Sequence, residues 1–207
     1  VEGGKFPWDN GKFPGMTEPS AGYHGVRFYE TFGDFGFTMR ARMETLRVYG
    51  AALSPMNAWQ ILQGTETLHL RMERHCGNAR KVVQFLKNDP RVSWVNYPGL
   101  PEHPQYALVE RQMRQVDGAP GASGLLAFGV KGGLQAGVRF IEAVQFLSHL
   151  ANIGDTRTLI IHPASTTHRQ LDAGQQIAAG VLPDMVRMSV GIEHIDDILW
   201  DIDQALG

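Results

Sequence analysis

The sequence predicts an α/β fold, and three observations carry that prediction. Beyond Pro90, short apolar runs alternate with amphipathic segments. A long apolar stripe precedes them, and a strand late in the chain carries an arginine at its centre. Alternating strands and helices of this kind bury one face of a sheet beneath packed helices.

In order, the opening from Glu2 to Gly15 is dense in glycine and proline with aromatic residues between them. It reads as a loop from the middle of a larger protein rather than as a natural beginning at Val1. Residues 20–55 mix aromatics and glycines around a helical patch from Phe37 to Val48. Ser54-Pro55 supplies a helix start, with serine as N-cap and proline at the first helical position. From there Ala58, Ile61, Leu62, Thr65, Leu68, Met72, Cys76, Ala79, Val82, Val83 and Leu86 recur at three- and four-residue steps. That is one apolar stripe along a long helix, interrupted by Gly64 and Gly77 and stopped by Asn88-Asp89-Pro90. A helix of such length is a candidate connector between domains.

After Pro90, Val92–Val95 reads as a strand, Pro98–Pro104 as a loop and Tyr106–Val116 as a helix. Gly118–Gly124 reads as a glycine-rich turn and Ser123–Val130 as a buried strand. Leu134–Leu147 is expected to be helical, Thr158–Ile161 a strand and Arg169–Ala179 a helix. In Met185–Val190, Val186, Met188 and Val190 point to one face, while Met185, Arg187 and Ser189 point to the other. The last helix gathers Ile195, Ile198, Leu199, Ile202, Ala205 and Leu206 on one side. Acidic Glu193, Asp196 and Asp197 lie around its first turn, where the helix dipole favours them.

Composition narrows the function classes. Of 207 residues, 43% are apolar and 19% charged, as in ordinary globular proteins. A net charge of -2 and a pI near 6.5 give no electrostatic reason to expect nucleic acid or an anionic membrane. No run is long and apolar enough to span a bilayer. The single cysteine, Cys76, excludes an internal disulfide framework and fits a reducing, cytoplasmic setting.

Several constellations have ordinary explanations. His75 and Cys76 are adjacent on one helix and cannot share a face, so with His69 they make no zinc site, and no metal is expected. Gly118, Gly121 and Gly124 lack the strand-then-helix setting of a dinucleotide fingerprint. No serine stands in a nucleophile elbow. His162 and His168 flank a polar run and fit capping or packing roles as well as functional ones. Arg187 is the remaining candidate. Its fixed fork of donors suits a carboxylate held by two parallel hydrogen bonds, and the pattern fits a solvent-facing arginine equally.

Larger motifs go further. Leu53-Ser54-Pro55-Met56-Asn57-Ala58, Gly64-Thr65-Glu66-Thr67-Leu68 and Leu70 to Ala79 resemble the long-helix region of the Cys/Met-metabolism pyridoxal-phosphate enzymes. Asn96-Tyr97-Pro98-Gly99-Leu100, His162 to His168 and Arg187 to Glu193 match that family in the same order. The resemblance covers essentially the whole chain. Within the family, Gly4-Lys5-Phe6 to Pro14, Thr17-Glu18-Pro19, Phe32 to Phe37 and Ala151 to Asp155 are similar to the branch acting on O-acetylhomoserine. The lyase and cystathionine-forming branches carry Ser-Leu-Gly where this chain has Asn152-Ile153-Gly154.

The resemblance implies a fold-type I PLP-dependent transferase, represented here by its C-terminal portion. Residues 1–55 would close the large cofactor domain, 56–88 form the long connecting helix and 89–207 the small C-terminal domain. It implies that Arg187 grips the substrate α-carboxylate, with Asn152 and Thr167 beside it or at the cofactor-facing edge of the site. It further implies pyridoxal 5'-phosphate as cofactor, O-acetylhomoserine with sulfide or a thiol as substrates, and a homo-oligomer, a tetramer. The Schiff-base lysine would precede Val1, since Lys5, Lys12, Lys81, Lys87 and Lys131 lack its motif, so this portion alone is expected to be inactive. Alternatives are a cystathionine γ-synthase, γ-lyase or methionine γ-lyase relative, or a non-catalytic amino-acid-binding module.

Overall fold

A computed structural model describes Gly4 and residues 6–207; Val1, Glu2, Gly3 and Lys5 lie outside the described residues. The chain divides into two compact units, Val1–Gln63 and Gly64–Gly207.

The first unit is built from short helices: α1 Pro14–Thr17, α2 Phe28–Phe32, α3 Gly36–Arg40 and α4 Arg47–Tyr49, with a π-helical stretch at Ala41–Leu46 between the last two. The helical patch expected over Phe37–Val48 is present in these pieces. Aromatic contacts replace a conventional core. Trp8 stacks on Phe37 with ring centroids 5.4 Å apart, and Phe6 and Phe13 close on the same indole. Helix α5, Pro55–Glu66, begins as the sequence requires: the Ser54 hydroxyl accepts the Asn57 N–H at 3.1 Å, with Pro55 at the first position. The boundary between the units falls within α5.

The apolar stripe expected as one helix is divided. Thr67 leaves the helical region at φ -101°, ψ 2°, and α6 runs from Leu68 to Asn88. Its buried side, Ala79, Val82, Val83 and Leu86, packs into the core of the second unit, and Cys76 is buried beside it. Burial pushes the Cys76 thiol above its ordinary pKa, so it is held as an inert thiol.

The second unit is a mixed five-stranded sheet covered by helices. Its strands are β1 Val92–Asn96, β4 Leu125–Val130, β5 Ser148–His149, β6 Leu159–Ile161 and β7 Met185–Ser189, in the order β1-β4-β7-β6-β5. A separate hairpin joins β2 Gln115–Val116 to β3 Ala119–Pro120. All sheet pairs are antiparallel except β5 with β6. Helices α7 Tyr106–Gln112, α8 Gly133–Ala143, α9 Ala173–Ala178 and α10 Ile195–Leu206 complete the unit. Leu126, Phe128, Val186 and Met188 lie on the sheet face beneath α6, α8 and α10, where Phe140, Ile198 and Ile202 meet them. Removing these side chains from water is the main stabilising term.

Three helix boundaries depart by about a turn from the sequence expectation. Helix α7 stops at Gln112 instead of Val116, because Asp117 and Gly118 take positive φ (48° and 74°) and fold Gln115–Val116 back as a hairpin. Helix α8 stops at Ala143 instead of Leu147, because the backbone N–H groups of Gln145, Phe146 and Leu147 are all taken by the buried Asp201 carboxylate at 2.7–2.9 Å. Helix α9 starts at Ala173, where Asp172 and Gln175 form a reciprocal capping box.

Candidate functional site

Strand β7 alternates as the sequence requires. Val186 and Met188 are fully buried beneath the helices, and Arg187 is half-buried on the opposite face. There it sits between Ala127 of β4 and Ile161 of β6, its register partners. No hydrogen-bond or ion-pair partner of its guanidinium occurs among the described residues. By contrast Arg91 is paired to Asp89 and Asp203, Arg40 to Glu44 and Arg157 to Asp155. A central-strand cation without an internal anion is poised for an external one.

The guanidinium lines an open cleft of about 330 Å³. Leu125, Ala127 and Met185 form its apolar wall, and Asn96, His103 and Gln105 bring polar groups to its rim. The His103 Nδ1 accepts the Gln105 N–H at 3.2 Å, which leaves the proton on Nε2. These rim residues were not singled out from sequence, although Asn96 belongs to one of the motifs. Among the described residues, no lysine lines the cleft.

The other two sequence-derived site residues do not line this cleft, but each lies on a loop tied to one end of β7. Asn152 is exposed, and its Oδ1 accepts the Ile153 N–H at 2.9 Å. That loop is fastened to the C-terminal end of β7, where the Ser189 hydroxyl accepts the Gly154 N–H at 3.0 Å. Thr167 is exposed, with its hydroxyl 2.9 Å from His168 Nδ1. Its loop is fastened ahead of β7 by His162. The imidazole is fully buried, and Nε2 donates to the Pro183 carbonyl at 2.8 Å. The Ser165 hydroxyl then donates to Nδ1, also at 2.8 Å. His162 is thus a structural anchor.

The sequence profile of the Cys/Met metabolism PLP-dependent enzymes matches residues 32–207. The chain belongs to this family. Among curated relatives, it is similar to O-acetyl-L-homoserine sulfhydrylase 1 of Thermus thermophilus, 52% identical over 100% of this chain and 48% of the relative. It is similar to the O-acetyl-L-homoserine sulfhydrylase of Leptospira meyeri at 51% identity, with 100% of this chain and 48% of that protein covered. The chain therefore spans about half the length of the curated relatives it matches. Among solved structures, an O-acetylhomoserine (thiol)-lyase from Campylobacter jejuni superposes with a TM-score of 0.78 at 38% identity, covering 93% of this chain and 44% of that one. That structure carries N'-pyridoxyl-lysine-5'-monophosphate. The family resemblance and the fold-type I architecture expected from the sequence both hold.

No group of three His, Cys, Asp or Glu side chains among the described residues is arranged to hold a metal ion. No described helix is long and apolar enough to cross a membrane.

Proposed function

We propose that this chain is the C-terminal portion of a cytoplasmic pyridoxal-phosphate enzyme that replaces the γ-acetoxy group of O-acetylhomoserine, which leaves as acetate. Sulfide or a thiol is the incoming group, and homocysteine or methionine plus acetate are the products. The observation that carries the reading is Arg187: an unpaired guanidinium at the centre of a sheet, facing an apolar-walled cleft.

The chemistry of the arginine follows from its setting. Two parallel N–H donors grip the substrate α-carboxylate, and the apolar wall beside the guanidinium lowers the local dielectric in which that pair forms. Fixing the carboxylate places the α-carbon and limits where the amine and the acetoxy-bearing γ-carbon can lie. We assign Asn152 and Thr167, on the loops tied to the two ends of β7, to the border of the same carboxylate site. Such positioning is what a replacement at the γ-carbon needs from this part of the enzyme.

Pyridoxal phosphate supplies the electron sink for such a replacement when bound. The described residues of this cleft do not fit its covalent attachment, because none of them is a lysine. We therefore assign the cofactor-linking lysine to the rest of a polypeptide of the relatives' length, and no step through the cofactor to this chain. We further read the whole protein as a homo-oligomer, a tetramer, and this portion by itself as inactive.

The test is Arg187→Ala in the full-length protein. The KM for O-acetylhomoserine should rise about 30-fold or more, the effect expected from loss of a desolvated charge pair. An unchanged KM overturns the assignment of Arg187. Sulfide-dependent homocysteine formation is expected in the parent; cystathionine formation or γ-elimination without sulfide would point to the alternative branches.

A further inference from the structure

Two motifs of the sequence remain without a role: Arg74-His75-Cys76-Gly77-Asn78 on α6 and Val190-Gly191-Ile192-Glu193 after β7. The structure brings them together at one junction. The four backbone carbonyls of Val190–Glu193 all accept from α6. His75 Nδ1 lies 2.6 Å from the Val190 oxygen, and the Asn78 amide donates to Gly191 and Glu193 at 3.1 and 3.0 Å. Arg74 donates to Ile192 and Glu193 at 3.4 and 3.3 Å. His75 and Asn78 are both buried.

The N–H groups of the same segment are taken from the other side. Those of Gly191 and Ile192 donate to the Thr158 hydroxyl and the Thr156 carbonyl, at 2.9 and 2.8 Å. The Thr158 hydroxyl in turn donates to Glu193 Oε2 at 2.9 Å, and the Thr158 N–H donates to Glu193 Oε1. Thr158 is fully buried. A methyl at Gly191 would overlap the Glu193 carboxylate and the Thr156 carbonyl, so the two segments touch only because this residue has no side chain.

We propose that the Thr158–Glu193 pair is a positioning latch for substrate binding. It holds the 152–158 loop against the end of β7 and so sets where Asn152 stands relative to Arg187. The inference rests on the carboxylate reading of Arg187 given above. Neither Thr158 nor Glu193 touches the substrate; both act through the loop. Fixing the whole run of backbone from both sides leaves the loop one position, and a loop that wanders by about 1 Å forfeits much of a bidentate carboxylate contact.

Thr158→Val, Thr158→Ser and Glu193→Gln in the full-length holoenzyme separate the possibilities. Thr158→Val keeps the shape but removes the hydroxyl, which strands the Gly191 N–H and one carboxylate oxygen; Thr158→Ser restores both bonds. For Thr158→Val and Glu193→Gln, the KM for O-acetylhomoserine should rise about tenfold with kcat within about twofold, and Thr158→Ser should stay near the parent. The second readout is competitive inhibition by L-2-aminobutyrate and by propylamine, which differ only in the carboxylate. The preference for the acid should fall about tenfold in Thr158→Val and recover in Thr158→Ser.

Equal losses of kcat and thermal stability in Thr158→Val and Thr158→Ser, without a change in that preference, would make the pair merely structural and overturn the proposal. So would an unaltered preference in Thr158→Val when Arg187→Ala abolishes it. If Arg187→Ala itself leaves the preference intact, the carboxylate reading fails first and the latch fails with it.

Discussion

Gly137 and His162 are in direct contact, the helix backbone of α8 lying against the imidazole edge. A methyl at Gly137 would overlap Nε2 and Cδ2 of that ring. The imidazole is already committed to the Pro183 carbonyl and the Ser165 hydroxyl, so it cannot yield without breaking both bonds. Alanine would improve helix propensity by up to about 1 kcal/mol, but forcing the overlap costs about 1–3 kcal/mol. The clash wins. Gly137→Ala should lower the thermal midpoint of the full-length protein, and a midpoint at or above the parent would show that His162 can move.

Asp201 makes a different kind of buried anchor. Its carboxylate is fully buried and accepts three consecutive backbone N–H groups and the Gln204 side chain. Asparagine would turn an NH₂ toward these donors. Asp201→Asn should cost about 2–3 kcal/mol, with amide exchange quickening first at Gln145, Phe146 and Leu147. Unchanged protection of those three amides would show that the turn after α8 holds without the carboxylate.

At Arg187 the arginine–lysine difference is diagnostic. Lysine keeps the charge but has no planar fork, so it cannot hold a carboxylate by two parallel bonds. Arg187→Lys should recover only part of what Arg187→Ala loses, with KM for O-acetylhomoserine about tenfold above the parent. Full recovery by lysine would mean that charge alone, without geometry, binds the substrate there.

The Asp89–Arg91 pair predicts a pH dependence. Hydrogen bonds from Arg91 hold the Asp89 carboxyl below its ordinary value of 3.8. A group whose folded value is depressed stabilises the fold above its unfolded value, and that contribution is lost as pH falls through the folded value. The urea midpoint difference between the parent and Asp89→Asn should therefore be present at neutral pH and shrink below 3.8. A difference that stays constant into acid would assign the effect to shape, not charge.

Much of this fold is legible in the residues. Ser54-Pro55 starts a helix because the cap and the fixed φ are local chemistry. Arg187 and its buried neighbours separate by face because strand alternation is local too. The helix break at Thr67 is hidden, since the apolar stripe runs through it without a change of period. The early end of α8 depends on Asp201, which lies on another helix. Glu193 is the sharpest case. By position it reads as a first-turn acid, as Asp196 and Asp197 are, yet its carboxylate turns back to Thr158. The candidate site divides the same way: the face that Arg187 takes follows from the alternation of one strand, whereas His103 and Gln105 join it only through tertiary approach.

The two edges of the sheet carry a consequence of their own. β5 is two residues long, and β1 slips register between Val92 and Trp94, where Ser93 and Trp94 both donate to Asp184. A short edge on one side and a bulged, side-chain-pinned edge on the other are poor templates for a foreign strand. Copies of this unit that meet in solution are thus protected from edge-to-edge stacking, and association between them is left to helices and loops.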